Sequence, residues 1–261
     1  MKLLLNVLIC CVFLAALGCS PVYYQPNMMN MPNFQQRGEA YFAASLCGNN
    51  GSDFQVAYAF TDHFAVQGNF MSDMFKESVL IRISEPNINV NIKGHLGEFA
   101  VGYFNTLERS GTFGLFGGYG SGKISNDWST EGVSFTNFNK PFIQLTFGTR
   151  SKYFELVTGL KLAQLRYYNQ EQSFKNQTFI DEFDVIKSPM PIMEGGMTLK
   201  AGLKHVKLQL HGTLMLPLKP SVPDFPSQRI SIGLGICLQL GGNKILEKKK
   251  SNENKVRYKL F

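Results

Sequence analysis

The chain has 261 residues and a formal charge of +7; only 17% of it is charged, and 22 Phe and 10 Tyr stand against a single Trp. Beyond the N-terminal segment no apolar run approaches the roughly 20 residues that a membrane helix needs, which argues against a helical membrane protein. The positive charge belongs to the C-terminal end, where Lys244, Lys248, Lys249, Lys250, Lys255, Arg257 and Lys259 against Glu247 and Glu253 give +5, so the basic balance says nothing of nucleic acid.

Residues 1–18 open with Lys2, continue as an apolar run from Leu3 to Leu14 broken by Asn6, and close on the small residues Ala15, Ala16 and Gly18. This is the pattern of a secretory signal peptide, and it is too short to span a bilayer. The stretch Ala16-Leu17-Gly18-Cys19 resembles the bacterial lipobox, departing from it at Ala16, where Leu is commonest. The resemblance implies a diacylglycerol on the thiol of Cys19, with outer-membrane lipid and the lipoprotein-sorting machinery as partners. Ordinary cleavage near Gly18, with Cys19 a bystander, is the alternative. Residues 19–36, including Pro21, Asn27, Asn30, Pro32 and a cluster of Met, have no hydrophobic period and read as a periplasmic tether. Cys10 and Cys11 leave with the signal. Cys47 and Cys237 remain; an exported pair can form a disulfide, but they fall towards opposite ends of the first and last strands, which favours free thiols.

From residue 37 the chain alternates. Arg37 to Leu46 supplies a first strand. Phe54, Val56, Tyr58 and Phe60 alternate with Asp53, Gln55, Ala57 and Ala59; after Thr61-Asp62, Phe64, Val66, Gly68 and Phe70 alternate with His63, Ala65, Gln67 and Asn69. That is a tight hairpin with one apolar face and one small or polar face. The grammar recurs in Phe99, Val101 and Tyr103 with Phe113, Leu115 and Tyr119; in Ile143, Leu145 and Phe147 with Phe154, Leu156, Leu160 and Leu162; and in Met193, Met197 and Leu199 with Val206, Leu208, Leu210 and Leu214. It ends in Ile230, Ile232, Leu234, Ile236, Leu238 and Leu240. About ten strands of roughly 9 to 13 residues result, a length that crosses a bilayer when tilted.

The connections alternate in length. Short turns fall near residues 61, 108, 151 and 203, and long loops span about 73–94, 125–139, 169–189 and 218–228. Transmembrane barrels have short periplasmic turns and longer extracellular loops. The non-apolar face carries Gly, Ala, Gln and Thr with Arg150, Glu155, Lys161, Glu194, Lys200, Lys207, His211 and Arg229, which suits a narrow polar lumen where charges pair. The apolar face gathers Phe60, Phe64, Tyr103, Phe113, Phe147 and Phe154 beside the short turns, as an interfacial aromatic girdle would. In this grammar residues 37–240 resemble the bacterial outer-membrane β-barrel (porin-like) superfamily, in a lipidated form. The resemblance implies an all-β fold, a single antiparallel up-and-down transmembrane β-barrel of about ten strands, with the barrel-assembly machinery as a partner. It implies a protein anchored at Cys19 with both termini in the periplasm. Residues 241–261 form a basic tail, suited to anionic headgroups or to solvent, so the strand expected to carry the assembly signal is 230–240.

Enzymatic and ligand-binding motifs are weak. Gly117 to Lys123 has the spacing of a phosphate-binding loop, but Ile124 follows where Ser or Thr is needed, and no helix pattern comes next. Gly114, Gly118 and Gly120 fit a crowded barrel interior better. His63 and His205 lie by the short turns, His95 near the outer rim and His211 in the lumen; the loop carboxylates Asp127, Glu131, Asp181, Glu182 and Asp184 are the candidates to approach His95. No Cys/His spacing suits a metal, and no cofactor is expected. The loop Asn169 to Ser188, with Phe174, Phe179, Ile180 and Phe183, is a candidate contact for an extracellular partner. The expected role is envelope structure or surface interaction, with at most a narrow solute path. Two alternatives stay open: a lipid-tethered soluble lipocalin-like carrier of an apolar ligand, whose alternating row would line a cavity, and a barrel enzyme acting on envelope lipid or peptide.

Overall fold

The computed structural model describes residues 23–47, 51–79, 88–107, 111–127, 132–174, 189–218 and 229–241. Ten strands lie among them: β1 Ala40–Cys47, β2 Gly51–Ala59, β3 Phe64–Val79, β4 Ile88–Thr106, β5 Gly111–Asp127, β6 Gly132–Arg150, β7 Phe154–Phe174, β8 Met190–Gly202, β9 Val206–Pro217 and β10 Ile230–Leu240. Each pairs antiparallel with its neighbour in sequence, and β1 closes onto β10 from Ala40↔Leu240 to Cys47↔Gly233. The expected all-β, up-and-down barrel of ten strands is therefore the fold. Closure pairs the strands on both sides over the common height of the barrel; beyond it, among the described residues, β3 from residue 73 pairs with β4 alone and β7 from residue 166 with β6 alone.

Alternation sets which face is inside. On β10, Ser231, Gly233, Cys237 and Gln239 are buried, while Ile232, Leu234, Ile236 and Leu238 are exposed. A one-residue slip would invert every such row, so the register is strongly determined. Exposed large apolar side chains lie on all ten strands, among them Phe42, Phe54, Phe70, Phe99, Tyr119, Ile143, Leu162, Met197, Leu210 and Leu234. Rings cluster beside the turns: Phe60 stacks on Phe64, Phe64 meets Tyr103 edge-on, and Phe113 packs on Phe147. Cys47 and Cys237 are both buried, and neither is in a disulfide: Cys47 pairs in register with Gly233 and Cys237 with Ala43.

The strands run longer than alternation predicts on one side of the barrel. β3 to β7 have 16, 19, 17, 19 and 21 residues, against 8 and 9 in β1 and β2 and 11 in β10. Parts of the spans expected as loops, 73–94 and 125–139, are paired strand: Phe75↔Ile92, Lys93↔Ser125 and Asn126↔Ser134 are in register. A ladder needs only backbone N–H and C=O groups, so it continues where Asn, Ser and Lys replace the apolar row. Periodicity marks where a face is buried or apolar, not where pairing stops. The barrel thus has one tall wall, β3 to β7, projecting on the side of the long connections.

Candidate functional site

The lumen is occupied by the chain itself. Every residue from Tyr23 to Phe34 is buried, including Tyr24, Asn27, Met28 and Met29 at 0% exposure. The segment read from sequence as an external tether is, from Tyr23 onward, an internal plug. It runs the height of the barrel. At one end the Tyr167 hydroxyl donates to the Tyr23 carbonyl, in the loop-side half of β7. At the other, Phe34 packs on Phe104 near the end of β4, and Asn33 donates to the carbonyl of Thr149 beside the β6–β7 turn. The chain then reverses at Gly38, whose φ of 81° is open to glycine at little cost, and enters β1.

An extended backbone inside a barrel must satisfy its own polar groups, and the strand walls supply the partners. The Met28 carbonyl accepts from Gln55 at 3.2 Å and Asn69 at 2.6 Å; the Asn30 carbonyl accepts from Gln144 at 2.7 Å; the Asn33 carbonyl accepts from Arg150 at 3.2 Å. The Met29 N–H donates to His211 Nε2 at 3.1 Å. The Asn30 side chain reaches between β2 and β3, donating to the carbonyls of Val56 and Gly68. Inward glycines leave the room. A Cβ at Gly159 would stand 2.6 Å from Met31 Sδ and 2.7 Å from Met29 Sδ, and one at Gly233 would clash with Met28 Cε.

Two charge clusters grip the plug at different heights. The loop-side cluster joins Lys140 to Glu98 at 2.8 Å and Glu194 at 2.9 Å, and Lys161 to Glu98 at 2.8 Å and Glu194 at 3.6 Å. Asn27 donates to Glu98 at 2.7 Å, and the Tyr24 hydroxyl donates to Glu194. The turn-side cluster joins Arg150 to Glu39 at 2.9 Å and Glu155 at 3.3 Å, with Lys207 on Glu155 and Lys200 3.9 Å away. With its side-chain amide turned so that both ends are satisfied, Gln239 bridges it, donating to Glu155 and accepting from Arg150. Lys200 also lies 4.1 Å from the centre of the Tyr41 ring. Desolvating so many charges is costly and their mutual attraction about offsets it, so such pairs set geometry more than net stability. Apolar layers flank the polar belt: Leu96, Ile124, Phe138, Leu165 and Ile192 on the loop side, Phe104 and Phe116 towards the turns.

The residues read as lumenal charges divide accordingly. Lys161 and Glu194 belong to the loop-side cluster, and Arg150, Glu155, Lys200 and Lys207 to the turn-side one. His211 stands between them, with Nδ1 2.6 Å from the Thr198 hydroxyl. Its Nε2 accepts from the plug, so Nδ1 carries the proton and no lone pair is left for a base. Arg229 is the exception. It is exposed and precedes β10 by one residue, so its side chain falls at the rim and not in the lumen. Sequence reasoning missed Glu98 and Lys140, both inward on long strands. Glu98 was legible from the alternation with Phe99 and Val101; Lys140 sat at the edge of a predicted loop, beside Pro141. The plug had a compositional signal as well, because no residue from Cys19 to Gln36 is charged, which is unusual for a solvated linker.

The other candidates disperse. His95 is exposed on the outer face of β4 opposite Lys123, whereas Asp127 opposes Asn91. Glu131, Asp181, Glu182 and Asp184, most of the loop after Asn169, Cys19, the signal peptide and the basic tail lie outside the described residues. Gly118, Gly120 and Gly122 are inward positions of β5, packed against Phe142, Glu98 and Phe138. Among the described residues no cluster of His, Cys, Asp and Glu suits a metal ion. Fold and lumen together define a β-barrel plugged by its own N-terminal segment. Compared with known proteins, the chain matches no family model and no curated sequence.

Proposed function

We propose that this protein is an outer-membrane β-barrel lipoprotein with a structural or surface-interaction role, not an open pore. The observation that carries the reading is the inverted distribution of polarity. Ile143 and Leu234 are each 61% exposed while Lys140, Lys161 and Glu194 are fully buried. Water-soluble monomers rarely expose more than a few hundred Å² of contiguous apolar surface; an apolar belt on ten strands is what a lipid environment requires. The turn-side rings Phe60, Phe64, Tyr103, Phe147 and Phe154 suit the headgroup level. A lipocalin-like carrier needs an apolar cavity, and here the middle of the lumen holds charges and the plug. The plug also argues against a solute path. The tall wall of β3 to β7 offers paired, polar surface beyond the apolar belt, and it is where an extracellular partner has most to grip. The barrel-assembly and lipoprotein-sorting machineries are the partners that such a chain needs to reach its site.

The test is to remove the lipid. Expressed with a non-lipoprotein signal and Cys19→Ser, the protein is expected to stay in the outer-membrane fraction through a urea wash and to show a heat-dependent gel shift. Release as a folded soluble domain would reverse the assignment of inside and outside.

A further inference from the structure

The path of the plug determines where the N-terminus leaves the barrel. Tyr23 lies on the loop side, and the segment from Tyr23 to Gln35 descends the lumen to the turn side before Gly38 turns it into β1. Cys19 is four residues before Tyr23. Four residues reach at most about 14 Å, whereas the hydrocarbon layer is about 30 Å thick. With Tyr23 held at the loop side, residue 19 cannot return to the turn side. We infer that Cys19 anchors the chain from the loop side of the barrel, in the outer leaflet, with residues 23–35 threaded through the lumen from that anchor. This rests on the outer-membrane reading, in which the short turns are periplasmic, and it replaces the periplasmic anchor that the sequence alone suggested.

Threading has a consequence for assembly. The lumen around residues 23–34 is packed: Met28 touches Gly233, Met29 and Met31 touch Gly159 and Gly196, and the Tyr24 ring meets Phe138 edge-on at 5.5 Å. A cysteine bearing a diacylglycerol is bulkier than any of these side chains and cannot slide through such a passage. The barrel therefore closes, β1 onto β10, around a segment already laid inside it. Once closed, the acyl chains at one end and the strand at the other hold the plug topologically, whatever its non-covalent grip.

The experiment is cysteine labelling of the full-length, lipidated protein in intact cells with a membrane-impermeant maleimide, in a background where Cys47 and Cys237 are replaced by Ser. Single cysteines are placed at Val22 beside the anchor, at Ser173 on the loop side of β7 and at Ser151 in the β6–β7 turn. Mass spectrometry of the N-terminal peptide confirms the diacylglycerol, with Cys19→Ser as its control. The expected result is that Val22→Cys and Ser173→Cys label on intact cells, while Ser151→Cys labels only after permeabilisation. If Val22→Cys follows Ser151→Cys and Ser173→Cys still labels outside, the barrel reading stands and the threaded anchor is overturned. If Ser173→Cys fails to label outside, or the protein is not in the membrane, the outer-membrane reading itself fails and the inference with it. An unmodified Cys19 overturns the anchor while leaving the barrel untouched.

Discussion

Lys140 shows how the lumen works at the scale of one residue. Its ammonium lies within 2.9 Å of both Glu98 and Glu194 and 5.3 Å from the centre of the Tyr24 ring. Lys161 serves the same two carboxylates from the neighbouring strand, so two cations face two anions. Removing one partner of a buried set leaves an uncompensated charge, whereas removing a balanced pair does not. Lys140→Met is therefore expected to destabilise the barrel by about 3–5 kcal/mol, seen as a lower temperature for the heat-dependent gel shift. Lys140→Met combined with Glu98→Gln, which leaves Lys161 facing Glu194, is expected to recover most of that loss. If the double variant is no better than the single, the cluster does not behave as a charge-balanced unit.

At the scale of elements the question is how a strand and the plug fit each other. Gly159 of β7 and Gly196 of β8 face each other across the ladder, and both lie under Met29 and Met31. Methionine is unbranched and fills irregular gaps, which suits a segment that must seat against glycines on several strands. A methyl group at Gly159 meets two sulfur atoms at under 3 Å and the Leu145 carbonyl at 3.2 Å. Overpacking of this kind costs about 1–3 kcal/mol. Gly159→Ala should show that loss in a urea-unfolding midpoint, and Met31→Ala introduced with it should cost less than the two changes separately. Additive effects would mean that the plug and β7 are not in contact where they are placed here, since residues in contact couple.

For the whole molecule, the plug decides whether the barrel is a channel. A barrel of ten strands already has a lumen largely filled by side chains, and Tyr23 to Phe34 occupies what remains. The intact protein is expected to give no single-channel steps in planar bilayers. Deletion of residues 23–34 is expected to give conducting steps, with the gel shift used to verify that the barrel still closes. A folded deletion variant that does not conduct would show that the wall residues alone seal the lumen. On the proposed reading the tall side of the barrel is the contact face: with the lumen closed, surface is what the molecule has to offer, and β3 to β7 carry it furthest from the apolar belt.

The sequence by itself determined the strand grammar, the closed ten-strand barrel and the inward placement of residues such as Lys161, Glu194 and Lys207, because a period of two assigns each side chain to a face without knowledge of its neighbours. It also determined that rings gather at the turns. Only the tertiary structure decided three things. The long connections begin as paired strand, because backbone pairing leaves no trace in hydropathy once no apolar face is required. Glu98, Lys140 and Lys161 form one cluster with Glu194, because closure brings β4, β6, β7 and β8 to face a common lumen. And the uncharged N-terminal segment lies inside. A chain surrounded on all sides by one wall has no preferred face, so it carries no period, and in the sequence alone it looks like a linker.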